Sequence, residues 1–276
     1  MSAMDAHAMP ASAPAVQKLS ALPRRLISYR IGNLQGIGAR ERQEDSFAFT
    51  NALDVTDMKR MGLLAIVADG MGGMRDGKAA SETAIASLRA SFQAMDRQGN
   101  LAMQLSDSVL RAGESVFRAL GGDGGSTLVE CIFYEEQLWF ASVGDSYLYL
   151  LRDGQLLRMN REHNVMTERY LDAIRQGSMD PAQGREEPEK AALTQFLGMD
   201  ALDDVDCLRR PLRLHDGDVF LLCSDGVGGA VPEARVRECL SLRTPEEMCA
   251  ALERAVAEAE NPYQDNYTAL IIQCGR

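Results

Sequence analysis

The sequence predicts an α+β fold, two antiparallel sheets packed as a sandwich with helices over the outer faces. Three observations predict it. Thr127–Phe133 and Leu138–Val143 are apolar runs separated by Tyr134-Glu135-Glu136-Gln137, which suits a hairpin loop. Tyr147–Arg152 and Gln155–Met159 flank Asp153-Gly154, a two-residue hairpin signal. Hairpins pair strands antiparallel, which excludes a simple βαβ series. Three further segments carry helical periodicity.

The first helix follows Gly77, where Ile85, Leu88 and Phe92 share a face. In the second, Leu101, Leu105, Val109, Ala112, Val116 and Leu120 recur in steps of three and four. The third opens on Thr244-Pro245-Glu246-Glu247, a cap residue, Pro at the first position and Glu at the third, and continues through Met248, Leu252, Val256 and Ala259. Residues 1–26 are rich in small residues, Met and Pro and read as a flexible arm with no secretory signal. Residues 27–276 read as one domain, within which 164–192 lacks clean periodicity and reads as a mobile flap.

The 29 Lys and Arg against 40 Asp and Glu give a net charge of −11, the wrong sign for a nucleic-acid or anionic-membrane partner. No apolar run approaches the about 18 residues of a membrane span. The six cysteines include no C-x-x-C pair, and Cys131, Cys223 and Cys274 fall in strand-like runs as small hydrophobes. The expected setting is a reducing cytoplasm, with a monomer as the default state.

Acids mark the ends of the apolar runs. Leu63–Ala68 leads into Asp69-Gly70, Phe140–Val143 into Gly144-Asp145, and Val219–Cys223 into Ser224-Asp225-Gly226. Glu44-Asp45 precedes Ser46–Phe49, and Asp265-Asn266 precedes Tyr267–Ile272. In antiparallel sheets, strands leaving one edge alternate with strands entering it, so all these acids can gather at one end. Carboxylates that close repel unless protonated or neutralised, and hard dications such as Mg²⁺ or Mn²⁺ supply that neutralisation. The bland alternative is that each Asp merely ends a strand as a turn residue. In Asp69-Gly70-Met71-Gly72-Gly73, Gly70 lets the chain turn so that its carbonyl faces the same ion, while Gly72 and Gly73 leave room for phosphate or water.

In order, Arg40-Glu41-Arg42-Gln43-Glu44-Asp45, Asp69-Gly70-Met71-Gly72-Gly73, Gly125-Ser126-Thr127, Gly144-Asp145-Ser146, Ser224-Asp225-Gly226 and Asp265-Asn266-Tyr267-Thr268 resemble the metal-dependent protein phosphatases, the PPM or type 2C Ser/Thr family, in its bacterial single-domain form. The resemblance runs from about Gly32 to Cys274. It implies a four-layer αββα sandwich and two Mn²⁺ or Mg²⁺ ions, with a third in bacterial relatives. Asp69 would bridge the two ions, the Gly70 carbonyl would bind one, and Asp225 and Asp265 would complete the other. Glu44 would act through metal-bound water with Asp45 behind it. Asp145 and Asp225 would serve a third ion, and Asn266 would brace Asp265. Arg40 would hold the substrate phosphate, since its fork matches phosphate oxygens.

The implied activity is hydrolysis of phosphoserine and phosphothreonine by a metal-bridging water or hydroxide, opposing a Ser/Thr kinase whose targets, or which itself, would be the phosphoprotein partner. Met71, Gln43 and Tyr147 depart from residues common in relatives, and Glu162-His163 stands where Asp-His is frequent; His163 reads as structural. Two alternatives stay open: a non-catalytic phosphoprotein-binding regulator, and a two-metal hydrolase of small phosphoesters.

Overall fold

Alternation within the strands builds the layers. The structure, a computed structural model, describes residues 27–50, 55–71, 76–177 and 192–275. Along the chain its elements are β1 (Ser28–Gly36), β2 (Ser46–Thr50), α1 (Val55–Met61), β3 (Leu63–Ala68), α2 (Gly77–Ala94), α3 (Leu101–Leu120), β4 (Leu128–Tyr134), β5 (Gln137–Val143), β6 (Tyr147–Arg152), β7 (Gln155–Arg158), α4 (Val165–Arg175), β8 (Asp206–Cys207), β9 (Leu212–Arg213), β10 (Val219–Cys223), α5 (Asp225–Gly228), α6 (Glu233–Leu240), α7 (Pro245–Glu258) and β11 (Tyr267–Gly275). One sheet runs β1-β11-β10-β6-β7 and the other β2-β3-β4-β5-β8, with β9 also on β5, all antiparallel.

In β3 the odd residues Leu63, Ala65 and Val67 face the other sheet, where they meet Leu148, Phe220, Leu270 and Ile272. The even residues Leu64, Ile66 and Ala68 pack under Leu88 and Phe92 of α2 and Leu105 and Val109 of α3. On the opposite side, Leu221 and Ile271 pack under Val236 of α6 and Met248 and Leu252 of α7. These three apolar layers make the expected αββα sandwich. Burial of each such large side chain stabilises it by roughly 1.5–3 kcal/mol.

The helices that the sequence marked have their expected ends. Thr244 accepts from Glu247 N at 3.2 Å in a complete capping box, and α3 runs from Asn100 to a left-handed Gly121. The 164–192 stretch needs correction: its first part is not irregular but the helix α4, capped by Asn164. No α4 residue is buried, and its apolar stripe of Met166, Tyr170 and Ile174, four residues apart, is exposed. Residues 178–191, like the 1–26 arm, lie outside the described residues.

Candidate active site

Strand register brings the acids together. Ser46 pairs with Ala68, so Asp45, just before β2, lies beside Asp69, just after β3. Cys223 pairs with Tyr147 on one side and Ala269 on the other, which sets Asp225 between the Asp145 turn and the Asp265-Asn266 approach to β11. Gly144-Asp145-Ser146 is the crossover from β5 in one sheet to β6 in the other, so the acids of both sheets meet at one end of the sandwich.

Their electrostatics bear the marks of that crowding. Burial, then the charges of Asp45, Asp225, Asp145 and Asp265, hold the Asp69 carboxyl well above the usual carboxylate range. Burial raises Asp45 to about 6 against hydrogen bonds from Thr268 and Ser224. Burial, with Asp225 and Glu162 nearby, raises Asp145 to about 7. Asp225 is raised by burial and by Asp265. Carboxylates crowded closely enough to raise one another in this way need a shared proton or a cation among them.

Two buried oxygens, Asp45 Oδ1 and Asp225 Oδ1, have no hydrogen-bond partner, and leaving such atoms bare is costly unless a cation takes them. Among the described residues, no three of the acids converge as a ready-made metal cage. The donor set itself, hard oxygens only, fits Mg²⁺ or Mn²⁺.

Gly70 does not turn sharply as expected; it extends the pairing of β3 with β4 as an antiparallel bridge to Ser126. A Cβ there would strike the Gly77 carbonyl at the start of α2 and sit 2.6 Å from the Glu44 carbonyl, so only glycine lets the two segments close on each other. Gly72 and Gly73 lie outside the described residues.

Arg40 is not free. Its guanidinium donates to Asp265 Oδ2 at 2.6 Å, an ion pair open to solvent on both sides. Such exposed pairs are worth only about 0–1 kcal/mol, so exchange for a phosphate is cheap.

Asn266 departs from its expected use. Its backbone N–H, not its side chain, donates to Asp265 Oδ1 at 2.8 Å. The amide side chain instead clamps the loop before β2: Nδ2 donates to the Ile37 and Arg42 carbonyls, each at 2.9 Å, and Oδ1 accepts from Glu44 N at 2.8 Å. That loop carries Arg40 and Glu44.

Several supporting residues carry no role in the sequence reading. Ser224 Oγ donates to Asp45 Oδ2 at 2.9 Å and accepts from Thr268 N at 3.0 Å. Thr127 Oγ1 accepts from Asp69 N at 3.1 Å and shares a hydrogen bond with Ser146 Oγ at 2.7 Å. Gln43 spans the Gly36 carbonyl and Asp45 N. The one signal for them is adjacency: each hydroxyl belongs to a short Gly-Ser-Thr, Gly-Asp-Ser or Ser-Asp-Gly fragment.

His163 is fully buried, with ring Nδ1 accepting from Gly144 N at 3.2 Å and its backbone N–H donating to the Gly144 carbonyl at 2.9 Å. Burial lowers its pKa, so it stays neutral and ties the base of α4 to the Asp145 turn. Tyr147 carries the Arg158 guanidinium over its ring at 3.7 Å, and that arginine also pairs with Glu162 at 3.4 Å.

A cysteine-based route can be set aside, though not for want of spacing, since Cys207 and Arg213 are a C-x₅-R pair. They fall on two separate short strands, β8 and β9, and burial pushes the Cys207 thiol up rather than activating it.

Residues 29–176 match the protein-family model described as protein phosphatase 2C. This chain belongs to the protein phosphatase 2C family. The serine/threonine phosphatase stp of Listeria innocua is 30% identical to this type 2C chain over 221 residues, covering 76% of it and 84% of the relative. A crystal structure of the PPM Ser-Thr phosphatase MsPP from Mycobacterium smegmatis in complex with cacodylate superposes with a TM-score of 0.69 at 28% identity, covering 89% of this chain and 97% of MsPP. The catalytic domain of PstP in complex with two manganese ions superposes at 0.70 with 25% identity, over 91% of this type 2C chain and all of that one.

Proposed function

We propose that this type 2C protein is a metal-dependent protein-serine/threonine phosphatase whose chemistry is carried by the acids at the strand ends. The carrying observation is the pair of bare, buried carboxylate oxygens on Asp45 and Asp225, set among acids whose mutual charge raises the Asp69 carboxyl. PstP, a relative, is described with two manganese ions. Here Asp69, the Gly70 carbonyl, Asp225 and Asp265 would hold two ions, with Glu44 and Asp45 behind, and Asp145 with Asp225 would accept a third. When bound, Mn²⁺ or Mg²⁺ offsets the carboxylate charge and makes water acidic enough to supply hydroxide near neutral pH.

The chain's own residues do the rest. Arg40 exchanges Asp265 for the equatorial oxygens of a phosphoserine or phosphothreonine, where its fork steadies the charge of an in-line displacement. Asn266 holds Arg40 and Glu44 in register. Ser224 and Thr268 keep Asp45 oriented, and Thr127 keeps Asp69 oriented. The non-catalytic alternative gains nothing from the site, since every expected acid is present.

Six cysteines without a disulfide suit a reducing cytoplasm, and none of the described helices is long and apolar enough to cross a membrane. The reading therefore includes a monomeric cytoplasmic enzyme reversing a Ser/Thr kinase in bacterial signalling.

The test is hydrolysis of a phosphothreonine peptide with Mn²⁺, with EDTA, and by Asp69→Asn. Turnover should require the metal and fall at least about a hundredfold in the variant. Equal turnover in EDTA would sink the reading.

A further inference from the structure

A groove of about 310 Å³ starts beside the site and leads away from it along the side of the sandwich. Its walls are the edge strand β2, at Ser46 and Phe47, one stripe of α2, and at the near end Gln35 of β1, whose side chain donates to the Asp45 carbonyl. That stripe reads Lys78, Glu82, Ile85 and Arg89, spaced by four, three and four residues, so it is a single helix face. The near end is fixed to the site. Ser46 follows Asp45 directly, and Lys78 Nζ donates to the Asp45 carbonyl and to Ser46 Oγ, each at 2.9 Å. The start of α2 packs on Gly70.

Three features describe what the groove would take. Among the described residues β2 pairs only with β3, so its other edge offers backbone groups to an extended chain. The floor between is apolar, formed by Ile85 and Phe47. At the near end, Lys78 faces Glu82 at 3.6 Å and is partly neutralised. At the far end Arg89 is exposed and has no acid within ion-pair reach among the described residues. In a chain of net charge −11 this is a local reversal of sign, complementary to an acidic segment.

We propose that this groove is the track for the polypeptide flanking the phosphorylated residue, and that Arg89 selects substrates with an acidic side chain there. The proposal rests on the phosphatase reading and names the substrate class for that same site. From Lys78 to Arg89 the helix rises about 16 Å, which an extended peptide spans in about five residues. The acid recognised by Arg89 thus lies at least about five residues from the phosphorylated one.

The experiment compares Mn²⁺-loaded wild type, Arg89→Ala and Arg89→Glu on four substrates. They are p-nitrophenyl phosphate, a neutral phosphothreonine peptide, and the same peptide with a run of Glu five to eight residues to its N-terminal or its C-terminal side. Wild type should show a KM about two- to fivefold lower for one of the acidic peptides, the size of an exposed ion pair. Arg89→Ala should lose that preference, and Arg89→Glu should invert it, with kcat little changed. All three proteins should hydrolyse p-nitrophenyl phosphate alike, which certifies folding and the metal site. Equal KM for all peptides in wild type, or an acidic preference that survives Arg89→Glu, overturns the proposal. Wild type that hydrolyses p-nitrophenyl phosphate but no peptide overturns it with the protein-phosphatase reading. Failure on every substrate overturns the phosphatase reading itself.

Discussion

Asn266 shows how one amide fixes a site that it does not enter. It is almost fully buried and spends both ends of its side chain on the loop that carries Arg40 and Glu44. Asn266→Ala leaves two carbonyls and one N–H without partners, a cost of about 1–3 kcal/mol for each group that stays buried. Asn266→Asp keeps the acceptor for Glu44 N but points a carboxylate at the Ile37 and Arg42 carbonyls. Both variants should raise KM for a phosphopeptide, since Arg40 loses its position, and Asp should be the more damaging to stability. Urea denaturation beside steady-state kinetics checks this; an Asn266→Asp protein as stable as wild type would show that the clamp is not formed. No local pattern in the sequence announces such a bond, because Asn266 and Glu44 lie 222 residues apart.

At the scale of elements, the crossover from β5 to β6 is the joint on which the acids of both sheets depend. Gly144 sits there at φ +92°, a conformation L side chains rarely adopt, and a Cβ would lie 2.8 Å from both Cβ and Cγ2 of Thr127. Thr127 in turn holds Asp69 N, so a push on it crosses the same sheet to the turn after β3. Gly144→Ala should therefore cost about 1–3 kcal/mol and displace Asp145 and Asp69 together. Adding Thr127→Ser, which keeps the hydroxyl and removes Cγ2, should recover part of both losses, readable in melting temperature and phosphopeptide turnover. If the double variant does no better than the single one, the contact is not what couples the two turns.

Legibility follows the same physics. The strands that end in acids were readable because they are buried on both faces and so read as unbroken apolar runs. Strand β1 was not, because only Gly32 and Leu34 of its nine residues are buried. Helix α4 is short and its Met166-Tyr170-Ile174 spacing is a weak signal, for that stripe covers no core. The acids were legible as a set, but the partners that orient them were not. Arg40 on Asp265 and Ser224 on Asp45 join segments 225 and 179 residues apart.

For the molecule as a whole, acid placement has a consequence away from the site. Glu130 stands in the middle of β4 on the face covered by α3, fully buried, with Ser108 Oγ on one oxygen at 3.4 Å and no partner for the other. Burial raises its pKa from 4.5 to about 8, so the folded protein holds this proton at neutral pH while the unfolded chain does not. A raised carboxyl contributes stability that is complete below the unfolded value and is lost as pH climbs toward the folded one. Between about pH 4.5 and 8 Glu130 should therefore destabilise the fold progressively, at up to about 1.4 kcal/mol per pH unit. Glu130→Gln keeps the shape and hydrogen-bonding capacity of the protonated acid and removes the titration. With EDTA present throughout, so that the raised Asp45, Asp69 and Asp145 titrate alike in both proteins, the variant should match wild type near pH 4.5. It should then melt increasingly above wild type toward pH 8, by up to several degrees. A difference in melting temperature that stays constant from pH 5 to 8 would mean that Glu130 does not carry its proton into the fold.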